Sequence, residues 1–121
     1  MRILTWEDAL SDYITTKRDE PFEYGLNDCC LFAAGAVEAI TGEDPMPEFR
    51  GQYDSLKGSL KALKEIGAGT LEATMDEKFT EVTISHAQRG DLAFFNDSVG
   101  VVMGGFAYFV SDDGLERINR S

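Results

Sequence analysis

PFEYGLNDCCLFAAGAVEAITG, residues 21–42, is the stretch whose reading decides the fold. Asp28 offers a side-chain oxygen to the free amides of a starting helix, and Gly42 suits the left-handed residue that ends one. Between them nearly every residue from Cys29 to Ile40 is apolar or small. A helix without a polar stripe has no face to give to water, so this one is expected in the core, buried almost all round.

The same stretch holds both cysteines, adjacent at Cys29 and Cys30. A disulfide between neighbours closes a strained ring, so both read as free thiols. With no CxxC pair and a single histidine, His86, no zinc spacing is present, and neither metal nor cofactor is expected. A cysteine in the first turn of a helix meets the positive end of the helix and unpaired amides, which favour the thiolate. Cys29 is therefore a candidate nucleophile. The adjacent Asp28 carboxylate opposes ionisation, and the alternative reading makes both cysteines small core residues.

Upstream, Trp6, Leu10, Tyr13 and Ile14 recur at helical spacing after Thr5, which forms a capping-box pattern with Asp8. A first helix over 6–17 follows, broken by Asp19, Glu20 and Pro21. Downstream, residues 44–52 carry two prolines and a glycine and read as a surface loop. Leu56, Leu60, Leu63 and Ile66 then predict an exposed amphipathic helix stopped by Gly67.

Beyond Gly69 the pattern changes to extended chain. Phe79, Val82 and Ile84 are spaced as in a strand, and residues 92–95 form an apolar run behind the Gly90-Asp91 turn. The apolar stretch 99–110 is divided by Gly104-Gly105 into a hairpin, and Asp113-Gly114 is a second turn signal. Helices first and strands after predict a single α+β domain over 1–121, its N-terminal helices packed on a C-terminal antiparallel sheet. Asp91 is expected to bond backbone in its turn. Trp6 and the aromatics of residues 94–109 are expected in packing roles.

A formal charge of −11 and a pI near 4.3 oppose binding to nucleic-acid phosphates and anionic lipid. The N-terminus MRILTWEDAL lacks the apolar core of a secretory signal, and no run approaches membrane-spanning length. The expectation is a protein kept in a cytoplasm or packed into a particle from it.

Two motifs together carry a family resemblance. PFEYGLNDCCLFA resembles the first signature of NlpC-type cell-wall peptidases, and GDLAFFNDSVGVVMGG resembles the second, in the family's order. Trp6, Leu10, Pro21, Phe22, Gly25, Asp28, Cys29, Thr41, Gly42 and Asp44 match a small phage and prophage branch. The resemblance implies a papain-like fold with Cys29 in the nucleophile position. It places Ser98 where active members carry the general-base histidine, and residues 108–110 (YFV) where they carry a polar group that orients it. Phe22 replaces the family's tyrosine. His86 is the candidate for a relocated base.

Three functions follow. One is a catalytically degenerate or unconventional member acting in phage tail structure or assembly, with tail proteins as partners, in the host cytoplasm or virion. Another is an active cysteine peptidase or amidase cleaving peptidoglycan stem peptides through Cys29. The third is an acidic inhibitor of a basic host protein, resting on charge.

Overall fold

The computed structural model describes residues 2–79, 88–95 and 98–119. Among the described residues four helices come first, α1 (Trp6–Lys17), α2 (Cys29–Thr41), α3 (Leu56–Glu65) and α4 (Leu71–Lys78). Four strands follow, β1 (Leu92–Phe95), β2 (Ser98–Val102), β3 (Phe106–Ser111) and β4 (Gly114–Asn119). The strands form one antiparallel sheet in the order β1-β2-β3-β4. The architecture is α+β, with helices and strands segregated along the chain as the hydrophobic patterning predicts. Among the described residues no helix is long and apolar enough to cross a membrane.

α2 runs as its caps dictate. Asp28 accepts a hydrogen bond from Leu31 N–H, and Gly42 closes the helix at φ +86 with its N–H donated to Glu38. Its sides serve two apolar clusters. Cys30, Leu31, Ala33 and Ala34 join Met46, Phe49 and Val99 in one, while Phe32, Ala36 and Ile40 join Leu10, Ile14 and Val101 in the other. Leu31 and Phe32 are each 1% exposed, and burying a side chain of that size contributes roughly 1.5–3 kcal/mol. α2 is thus the element on which α1 and strands β2 and β3 both pack.

Phe94 and Phe95, expected in the sheet core, are 42% and 49% exposed, and three further expectations need correction. Thr5 precedes α1 but makes no side-chain cap, because its ψ of 25° is not the extended conformation that aims a hydroxyl at the helix amides. Residues 44–52 are more than a surface loop. Met46 and Phe49 are each 1% exposed and fill the core beside α2, while Asp44 holds the turn by accepting from Met46 N–H and pairing with Arg50.

The third correction is α4. The chain past Gly69 enters another helix, capped by the Thr70 hydroxyl on Ala73 N–H, before Phe79 becomes extended. Val82 and Ile84, read as extended, lie outside the described residues.

α1 and α2 approach closely at Gly35. A Cβ there would stand 2.2 Å from the Tyr13 hydroxyl, which donates to Phe32 C=O at 2.7 Å. Alanine at a helical glycine ordinarily gains about 1 kcal/mol, whereas overpacking a tight contact costs roughly 1–3 kcal/mol. Gly35→Ala is therefore expected to destabilise the protein in urea denaturation, and Tyr13→Phe in the same chain should recover part of the loss by removing the clashing oxygen.

Candidate functional site

The amino end of α2 is assembled from the loop before it, the segment after Phe49 and the start of β2. The Glu23–Asn27 turn is closed by paired backbone bonds, Glu23 N–H to Asn27 C=O and Asn27 N–H to Glu23 C=O. Gly25 lies at φ +83, where a Cβ would fall 1.9 Å from Tyr53 C=O, so only glycine fits. Phe22 N–H donates to Ser111 C=O, tying this loop to the end of β3. Asn27 is 4% exposed and its side-chain amide donates to Pro21 C=O at 3.0 Å.

Asp28 is itself 4% exposed and is surrounded by donors. One oxygen accepts from Leu31 N–H at 2.9 Å; the other accepts from Gly25 N–H at 3.0 Å and from the Tyr53 hydroxyl. Burial and the hydrogen bond to Asp28 push ionisation of the Tyr53 phenol far up, so it stays a donor. Sequence reasoning missed Tyr53. Its distance of 25 positions from Asp28 gives no local signal.

Cys29 follows, half-buried, at the first position of α2. The Ser98 side chain and the Val99 and Cys30 backbone lie within hydrogen-bonding reach of its sulfur and favour the thiolate. Burial acts the other way and is the largest influence, with the Asp28 charge added to it, and the net effect raises the thiol above its ordinary value. Burial beside a carboxylate thus works against the thiolate that the helix end favours. Cys30 turns into the core at 6% exposure, and burial, Asp28 and Cys29 push it up to about 12.

The structure therefore brings Ser98, the first residue of β2, to the Cys29 sulfur. Residues 108–110 sit on β3, with Tyr108 paired to Val101 and Val110 buried among α2 and β2 side chains. They supply no carboxylate or amide that could orient a base. His86 lies outside the described residues. Among the described residues no three His, Cys, Asp or Glu side chains are grouped to hold a metal ion.

Asp91 keeps a structural role, accepting from Gln88 N–H at 2.8 Å and pairing with Arg2 at 2.9 Å. Trp6 packs at the edge of the core with the Arg2 guanidinium 4.2 Å above its ring.

A family model described as a domain of unknown function, DUF6950, matches residues 1–121. No curated protein and no solved structure matches the chain.

The geometry separates the two cysteines by access as well as by ionisation. Brief alkylation of the native protein followed by mass spectrometry is expected to place label on Cys29 well ahead of Cys30. The rate should still be climbing with pH above about 8.5, where an ordinary thiol is half ionised. Equal labelling, or label mainly on Cys30, contradicts this arrangement.

Proposed function

Because the chain belongs to the DUF6950 family, whose description names no activity, we infer function from the site: a non-hydrolytic NlpC-type, papain-like domain that acts in phage tail structure or assembly. The observation that carries this reading is the side chain beside the sulfur. Ser98 stands within reach of Cys29 at the position where the sequence motif calls for histidine. A serine hydroxyl holds its proton near neutral pH and can donate to the sulfur but cannot deprotonate it or later protonate a leaving amine.

The rest of the site supports the same conclusion. The thiol is raised rather than lowered, and the strand next to β2 offers apolar residues where an orienting group would stand. Meanwhile the scaffold around the thiol is intact, with its cap, its positive-φ glycine and its buried carboxylate network. A well-built fold with dismantled chemistry fits a domain used for its shape, since fold and activity separate readily. The phage setting and tail partners are drawn from the motif resemblance.

Loss of acid–base catalysis costs on the order of 10²–10⁴-fold in rate. Purified protein is expected to show no Cys29-dependent cleavage of peptidoglycan or its stem peptides, with wild type and Cys29→Ala indistinguishable on the same cell-wall preparation. Turnover abolished by Cys29→Ala would refute the reading, and loss with His86→Ala as well would identify His86 as the base. Ser98→His should place an imidazole beside the sulfur and speed Cys29 alkylation at neutral pH by about tenfold, the effect of one unit of pKa. In the encoding phage, deletion of the gene is expected to stop tail assembly, and Cys29→Ala is expected to support it.

A further inference from the structure

α3 is amphipathic, yet of its apolar residues only Ala62 is fully buried. Leu56 and Leu60 are 57% and 51% exposed, and Ile66 beyond the helix is 43% exposed. Leu56 and Leu60 lie one turn apart on the exposed face of the helix, while Leu63 packs back against the core. Lys57, Lys61 and Lys64 recur four and then three positions apart and so form one basic edge beside the two exposed leucines. Leu56, Leu60 and the three lysines together line a shallow depression on the surface.

The charge on this helix runs against the rest of the chain. α3 carries three lysines and one glutamate in a protein of net charge −11. Lys61 approaches Glu65 at 3.9 Å, while among the described residues Lys57 and Lys64 form no ion pair. Local positive charge beside exposed leucine selects an apolar surface edged with carboxylates.

We propose that α3 is a docking helix for an acidic amphipathic helix of a partner protein, with Leu56 and Leu60 against its apolar face and Lys57 and Lys64 paired to its carboxylates. A helix suits so narrow a strip, because leucines one turn apart take the apolar i, i+3 and i+4 side chains of an amphipathic partner, and the lysine edge selects one that carries carboxylates. A second copy of the chain fits poorly, because pairing through α3 brings one lysine edge to another or to uncharged residues of the same helix. An anionic bilayer fits poorly too, since it meets the whole acidic chain, whereas a helix meets only the basic patch. The proposal is independent of whether Cys29 is competent in catalysis.

The probe is a fluorescent three-heptad peptide with leucine at both seam positions and glutamate at both rims, titrated with the full-length protein and followed by anisotropy. Saturable binding that weakens with added salt is expected. The Lys57→Glu/Lys64→Glu protein should bind on the order of tenfold more weakly, as several exposed charge pairs change sign. It should instead take the peptide whose rims are lysine. Leu60→Ser should weaken binding of both peptides. Circular dichroism checks that the variants keep the fold, as exposed substitutions should. Absence of saturable binding overturns the proposal, as does equal binding by the charge-reversed protein. Binding to phosphatidylglycerol vesicles in place of the peptide, or sedimentation showing a dimer that Leu60→Ser dissolves, overturns it in favour of lipid or self-association.

Discussion

The Asp28 carboxylate organises this molecule. Removed from water, a carboxylate needs donors on both oxygens, and here they come from three separate parts of the chain: the helix it begins, the turn before it and the segment after Phe49. Meeting that need fixes where α2 starts, where the Gly25 turn sits and how residues 44–53 wrap back on the helix. Leaving such a group unpaired would cost several kcal/mol, so the three segments are coupled through it. α2 is in turn the surface on which α1 and the sheet pack.

The same charge sets the chemistry beside it. Cys29 occupies a position that would favour a thiolate on helix-end grounds, yet it lies next to a buried negative charge and is largely removed from solvent. An enzyme that needs an ionised sulfur here has to offset both effects with a cation, which a histidine supplies when protonated. Ser98 supplies only a hydroxyl.

How much was legible in sequence follows from the range of each interaction. α1 was readable from its apolar spacing and α2 from its caps, signals that lie within or beside each helix; so were the two hairpins at Gly104-Gly105 and Asp113-Gly114, whose turn residues act locally. α4 was not, because its eight residues, LEATMDEK, carry no sustained apolar period. Met46 and Phe49 were hidden by the prolines around them, which signal a loop without saying whether its side chains turn inward. The pairing of Ser98 with Cys29 was suggested by motif alignment, since nothing in either residue's local sequence specifies contact across the fold. Tyr53 had neither a motif nor a pattern.

The strand order β1-β2-β3-β4 has a kinetic meaning. Each strand pairs with its neighbour in the chain, so the described sheet can zip through short turns without bringing distant segments together first. The helices α1 and α2 likewise meet across one short connection. What is nonlocal is the contact between these two parts, through Val99 and Val101 against α2 and through the bond from Phe22 to Ser111. The segment that joins them carries α3 and α4, and the entropy of closing it is the cost that this contact has to offset. Cys29 and Ser98 come from opposite sides of that junction, so their contact exists only once helix and sheet have met.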